Sequence, residues 1–261
     1  NGAGPLLLRL GNMLAVRSCD RWIVHNEISE QHLLARGLPA DHMDRVAHGL
    51  LGAAADPSPN ETIRDDGRLH ILQFGKLKDY KGADVLLNAL GRLSEDQRAR
   101  CHVAIVGRPY LDTAPLLRLV EQHHLQTCVE LRFDFVSDAD MAALFERADL
   151  LVFPYRGIDT SGVLMAAIAR GIPVVASGIG CFAEMLVDGE EGRLVPPDDP
   201  EALAEALIDL IEDPAKVQAM RSKMAALRDR IPSWTHIAET TVQVYEHAQS
   251  TPSSTPVGVH T

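Results

Sequence analysis

The sequence predicts an α/β protein built on a doubly wound parallel sheet, Rossmann-like in its winding. From Arg68 onward, short apolar runs alternate with helical patterns in one unbroken series. Strands that take turns with helices pair in parallel, because each connection has to cross back over the sheet. The stretch Leu150 to Ser177, LLVFPYRGIDTSGVLMAAIARGIPVVAS, holds one complete strand–turn–helix–strand unit. Leu150, Leu151, Val152 and Phe153 form an apolar run ended by Pro154, as suits a strand buried on both faces. Gly157, Asp159, Thr160, Ser161 and Gly162 make a turn, and Thr160 or Ser161 can cap a helix from about Val163 to Arg170. Gly171 closes that helix, and Ile172 to Ala176 returns to the sheet.

Taken in order, residues 1–49 show a helical pattern (Leu6 to Val16), a short strand (Arg21 to Val24) and a helix from Ser29 to Arg36 stopped by Gly37. This is too little for a core of its own, and reads as the last piece of another sheet. Residues 50–67 form a linker, rich in Pro, Ala and acidic residues from Ala53 on. The main domain spans residues 68–232. Its strands are expected at Leu69–Phe74, Cys101–Val106, Val129–Phe133, Leu150–Phe153, Ile172–Ala176 and Gly192–Pro197. Its helices are expected at Ala83–Leu93, Ala114–His124, Asp138–Arg147, Val163–Arg170, Pro200–Ile211 and Ala215–Arg230. A final helix covers 233–249, with Trp234, Ile237, Val242 and Tyr245 roughly on one stripe. Residues 250–261, STPSSTPVGVHT, have the composition of a disordered tail.

Composition narrows the function. The 261 residues carry a net charge of -11, which argues against a partner made of nucleic-acid phosphate. No apolar run approaches the ~20 residues of a membrane span, and Pro5 to Val16 is interrupted by Arg9 and Asn12. No signal peptide is visible, and a chain opening on Asn1 reads as a piece of a longer one. Cys19, Cys101, Cys128 and Cys181 are far apart, with no CxxC pair, so zinc and redox motifs lack support and a reducing cytoplasm fits. The charged helix Arg221 to Arg230 reads either as a solvated face or as a peripheral contact with a membrane.

In a doubly wound sheet, ligands bind beyond the carboxyl ends of the strands. The loops after Phe74, Val106, Phe133, Phe153 and Ser177 therefore border one crevice. The helix after Phe153 opens toward it with unpaired backbone N–H groups and roughly half a positive charge, which makes Ser161, Gly162 and Val163 an anion site. The alternative is that Gly162 only allows close packing of helix on strand. Lys76, Lys78 and Lys81, in FGKLKDYKGAD after the first strand of the main sheet, can meet phosphate oxygens as point charges, or form a solvated basic loop. Gly178 to Ala183 matches a GxGxxA dinucleotide fingerprint, but only Cys181 to Val187 can be helical before Asp188-Gly189, too short for a dinucleotide crossover. Glu184 then faces a ligand hydroxyl or a helix end, or is structural. Asp159, the acid of the central turn, either shapes the turn or contacts a ligand. None of the 11 histidines falls in a metal or triad pattern, and no P-loop or GxSxG turn is present.

These pieces together resemble the carboxyl-terminal, donor-binding half of a glycosyltransferase of the GT-B fold, in the group 1 (family 4) class. The likeness covers about Val46 to His247. It rests on His48-Gly49, FGKLKDYKG, VAIVGRP, ADLLVFPYRGIDTSGVLMAAIARGIPVVAS, GCFAEMLVDGEEGRLVPPDD and the final SW…VY helix. It implies an enzyme that moves a sugar from a nucleotide diphosphate sugar to a glycan, lipid-linked sugar or small metabolite, with retention and with no metal or other cofactor. By the same resemblance, Lys76, Lys81 and the amides of Ser161, Gly162 and Val163 hold the diphosphate. Asp134, Phe135 and Val136 border the base, and Gly75, Arg108 and Glu184 line the rest of the pocket.

Two departures stand out. The family's paired glutamates should fall near Ile158 (Gly157 in a related pattern) and Ala166, and neither is present. Asp159 is the candidate for the first role; nothing replaces the second, at a cost of roughly 1–3 kcal/mol of nucleotide binding. An amino-terminal acceptor domain is also missing, so the chain as given is expected to transfer no sugar alone. The rival reading is a non-catalytic nucleotide-sugar-binding or scaffold module that has lost its glutamates.

Overall fold

The computed structural model describes residue 11, residues 18–52 and residues 66–250. All but Gly11 of the helical pattern at Leu6 to Val16, most of the linker, and the tail beyond Ser250 lie outside the described residues. The chain separates into two compact units, Asn1–Gly49 with Pro232–Thr261, and Leu50–Ile231.

In the first unit, β1 (Trp22–Val24) pairs in parallel with β2 (Met43–Arg45). Between them runs α1 (Glu27–Leu34), capped by Asn26, whose side chain accepts from the Ser29 amide at 2.7 Å. Arg21 and Asp44 pair across the strands at 2.7 Å. The C-terminal helix, Trp234–Ser250, belongs to this unit. Val46, Ile237 and Val244 form its small core, with Ile23 packed against them. The stripe expected on this helix needs correction, because Trp234, Val242 and Tyr245 are exposed. At about 100° per residue, Val244 lies two turns above Ile237 whereas Val242 is about 140° round from it.

The second unit holds the sheet. Its strands are β3 (Leu69–Phe74), β4 (Cys101–Val106), β5 (Val129–Arg132), β6 (Leu150–Phe153), β7 (Val174–Ser177) and β8 (Gly192–Val195). All pair in parallel, in the order β5-β4-β3-β6-β7-β8. The chain runs outward from β3 to one edge, returns to β6 beside β3, and runs out to the other edge, the winding of a dinucleotide-type Rossmann sheet. The eight connecting and flanking helices of the described residues run in chain order from α2 (Ala83–Leu90) and α3 (Glu95–Ala99) through α4 (Ala114–Gln122), α5 (Asp138–Arg147) and α6 (Gly162–Ala169). They continue with α7 (Gly180–Met185), α8 (Pro200–Glu212) and α9 (Pro214–Arg230).

Alternate residues of the strands build two cores. Ile71, Val103, Ile105, Leu150 and Val152 face α2, α4 and α8; Leu72, Leu151, Phe153, Val174 and Ala176 face α5, α6 and α7. Helix α9 serves both, through Val217 and Met220 on one side and Met224 and Leu227 on the other. Its basic residues are tied to protein groups: Arg230 reaches Glu191 at 3.3 Å and Lys223 reaches Glu190 at 3.3 Å. Leu50, the first residue of the expected linker, packs into the second core, so the sheet unit begins at Leu50 and not at residue 68.

Candidate functional site

The strand order reverses between β3 and β6, and the two loops leaving them at their carboxyl ends are the lysine loop and the central turn. Backbone contacts lock these loops together. Gly82 adopts φ +63°, and a Cβ there would stand 1.9 Å from the Pro154 carbonyl oxygen. Gly107, after β4, adopts φ +152°, and its Cβ would stand 2.0 Å from the Gly75 carbonyl oxygen. Gly180, after β7, adopts φ +54° and presses on the Ile158 carbonyl in the same way, at 1.9 Å. Only glycine fits such approaches, so four loops are held as one body.

Lys81 sits at the centre. Its side chain is buried, its Nζ lies 5.2 Å from the centroid of the Tyr155 ring and 3.5 Å from the Phe74 carbonyl oxygen. Burial, with Lys78 nearby, pushes its pKa down to about 8. A Cβ placed on Gly75, which has φ +111°, would stand 2.9 Å from Lys81 Nζ and 3.7 Å from Val163 Cγ2. Gly75, Lys81 and the first turn of α6 therefore converge on one point. Gln73 steadies the lysine's backbone, donating from Nε2 to the Lys81 carbonyl at 2.8 Å. The Tyr155 hydroxyl is buried with no hydrogen-bond partner among the described residues.

Arg156 fastens the lysine loop to the central turn from outside. It donates to both carboxylate oxygens of Asp84, at 3.0 and 2.7 Å, to the Asp79 carbonyl at 2.8 Å and to Asp198 at 2.8 Å. Its own amide donates to the Tyr80 carbonyl at 2.7 Å. The bond to Asp84, joined by that to Asp198, raises its pKa and keeps it charged.

In the central turn, Ser161 is the cap of α6. Its buried Oγ accepts from the Leu164 amide at 3.2 Å. The Ser161 amide faces the Cys181 sulfur, and a Cβ on Gly162 would meet Leu51 Cδ1 at 2.9 Å. Of the three residues, Val163 is the one whose side chain approaches Gly75. Asp159 and Glu184 are both exposed, and both charges reach the Cys181 thiol, whose pKa burial pushes up to about 12. The structure thus gathers Asp159, Ser161 and Glu184 around Cys181, a residue with no motif to announce it.

Lys76 and Arg108 stand apart from Lys81. Both are exposed and flank the ring of Tyr110, with Lys76 Nζ and Arg108 Cζ each 5.8 Å from its centroid. The loops after β3 and β4 are stitched there, the Leu77 amide donating to the Arg108 carbonyl at 2.9 Å and the Tyr110 amide to the Leu77 carbonyl at 2.8 Å. Asp134 and Phe135 lie between β5 and α5, exposed, with Phe135 at 81%; Val136 packs on the core. At the two positions where glutamates were expected, Ile158 is half-buried and Ala166 is buried in the second core. Among the described residues no group of three or more His, Cys, Asp or Glu is placed to hold a metal ion, and no helix is long and apolar enough to cross a membrane.

A parallel sheet wound in this order and flanked by helices is the Rossmann-like fold of GT-B glycosyltransferases. The family description "Glycosyl transferases group 1" matches residues 68–213, more than half of the chain, and the chain belongs to that family. It is 36% identical over 168 residues to the phosphatidyl-myo-inositol mannosyltransferase of Mycolicibacterium smegmatis, covering 64% of this chain and 42% of that protein. It is 31% identical over 268 residues to the D-inositol 3-phosphate glycosyltransferase of a Nocardioides species, covering 94% of this chain and 57% of that protein. The chain spans about half the length of the curated relatives it matches. Anabaena Alr3699/HepE, crystallised with UDP and glucose, superposes with a TM-score of 0.75 at 21% identity, over 94% of this chain and 67% of that one. WaaG, a glycosyltransferase of lipopolysaccharide biosynthesis, superposes with a TM-score of 0.73 at 19% identity, over 85% and 62%. These likenesses establish the shared fold.

Proposed function

We propose that the crevice binds the diphosphate of a nucleotide diphosphate sugar, and that this chain is the donor-binding half of a retaining glycosyltransferase. The observation that supports this most is the convergence of Lys81 Nζ, Gly75 and Val163 on one point. An ammonium stripped of water, a glycine that leaves room and the first turn of a helix are what a diphosphate requires. As the sugar–phosphate bond breaks, the leaving diphosphate gains charge. Lys81 and the Gly162 and Val163 amides would stabilise that charge without a metal ion, a role often worth several kcal/mol. Lys76 and Arg108 then attract the nucleotide from the rim, Phe135 offers its ring to the base, and Asp159 and Glu184 face the sugar. The relatives' names, phosphatidyl-myo-inositol and D-inositol 3-phosphate transferases, support a polyol or lipid-linked acceptor.

Calorimetric titration with UDP, GDP and ADP tests this reading. One nucleotide should bind saturably, and Lys81→Ala should weaken it about tenfold or more, the worth of one charge-assisted contact. Equal binding by the variant would remove the diphosphate from this point. Absence of binding by any of the three would favour the module that has lost its glutamates, to which the buried Ala166 already lends weight.

A further inference from the structure

A second polar cavity lies away from the crevice. It occupies about 250 Å³ on the face of the sheet beside the end of α5, among the first residues of β3 and β4. His70 and His102 form its floor, paired across the strands with ring centroids 5.3 Å apart. On this face Leu72 and Ala104 follow them as ordinary core residues, so two imidazoles stand where the sheet pattern calls for apolar side chains. Arg68, Arg132 and Arg147 complete the wall from three different elements.

The carboxylates present leave positive charge over. Asp66 meets Arg68 at 3.1 Å and His70 at 3.2 Å; Glu130 meets His102 at 3.7 Å and Arg132 at 3.8 Å. Three guanidiniums against two carboxylates give a local charge of +1 with both imidazoles neutral and +3 with both protonated, in a chain whose net charge is -11. The volume equals about eight waters at ~30 Å³ each, room for a tetrahedral oxyanion and a small substituent.

We infer that this cavity is a binding site for a small soluble dianion of the phosphate-ester class, held by Arg68, Arg132 and Arg147 and by the imidazoles of His70 and His102. Guanidinium forks match tetrahedral oxyanions, and a protonated His102 adds charge to them. Burial, followed by the neighbouring His70, lowers the pKa of His102, and a bound dianion would reverse that. The groups facing the rings are Asp66 and Arg68 beside β3, Glu130 and Arg132 on β5 and Arg147 on α5. This site is independent of the nucleotide reading, and its lining shares no residue with the crevice.

Histidine side-chain NMR on the whole chain tests it, with sulfate, inorganic phosphate and glycerol 3-phosphate as probes and potassium chloride at matched ionic strength as the blank. Sulfate stays doubly charged across the range, so its pH response reports the protein. The His70 and His102 resonances should shift saturably with each probe, and sulfate should bind about fivefold tighter or more at pH 6 than at pH 8. The double variant Arg132→Gln/Arg147→Gln, at a rim that leaves the core untouched, should weaken binding about tenfold. Thermal unfolding checks that it folds. Shifts that the chloride blank reproduces, or that the folded double variant retains, would overturn the site. A response confined to vesicles carrying phosphatidic acid would overturn the soluble ligand.

Discussion

The loops after β3 and β5 leave the same end of the same sheet, yet they are held in opposite ways. The first is fixed by backbone: Gly82 against Pro154, Gly75 against Gly107, and Arg156 bridging Asp79, Asp84 and Asp198. Its central side chain, Lys81, is 8% exposed, whereas Phe135 in the second loop is 81% exposed. On the proposed function the difference gives the crevice two kinds of end. The end proposed for the diphosphate is set before any ligand arrives, so little ordering has to accompany binding; the end proposed for the base keeps a free ring that can adapt to its partner.

Substitutions can break that contrast, and the largest effect belongs at the fixed loop. Gly82→Ala puts a methyl group into the Pro154 carbonyl at a positive φ and should cost at least about 3 kcal/mol in urea unfolding. Phe135→Ala, by the same measurement, should stay within about 0.5 kcal/mol. A comparable loss at both positions would abolish the distinction.

Lys81→Gln separates stability from binding. The folded pKa of Lys81 is pushed down to about 8 from an ordinary 10.5, so between those values the unfolded chain holds the extra proton. Burying the charged lysine therefore costs stability below about pH 8, and this cost is relieved as pH rises toward 10.5. The variant should be as stable as the parent or more so at pH 7, lose the rise in stability above pH 8, and still bind nucleotide about tenfold more weakly. A thermal unfolding series from pH 6 to pH 10 reads the first two outcomes.

Arg156→Gln should act more gently. Its side chain and those of Asp84 and Asp198 are 33%, 41% and 62% exposed, so water screens them and the loss should be about 1 kcal/mol or less in chemical unfolding. Ser161→Ala removes the cap of α6 and should cost about 1 kcal/mol by the same assay.

What the sequence disclosed follows from where the signals lie. β3 and β4 occupy their expected residues because apolar side chains dominate each, LHILQF and CHVAIV, with only His70, Gln73 and His102 between them. α5 does so because Ser137 caps it and Arg147 ends it. β2 escaped notice because Met-Asp-Arg carries no alternation, and α3 because a five-residue polar helix is held by a capping box, Ser94 with Gln97, and not by an apolar face. At the site, the lysines and the small-residue turn were legible as local chemistry. Tyr155 under Lys81, Tyr110 between Lys76 and Arg108, and Arg156 across three acids were not, because each depends on loops that only the folded sheet brings together. The GxGxxA match illustrates the converse: α7 is six residues long, and Gly180 is there to pass the Ile158 carbonyl.

The most direct test watches the Lys81 ammonium itself by NMR, in protein with labelled lysine, as pH is raised with and without the nucleotide that binds. A buried lysine waiting for a diphosphate should titrate near pH 8 alone and clearly higher with nucleotide bound, because the bound anion favours the charged form. A Lys81 that titrates at the ordinary value of lysine, and is unmoved by saturating nucleotide, would contradict the assignment of the crevice to a diphosphate.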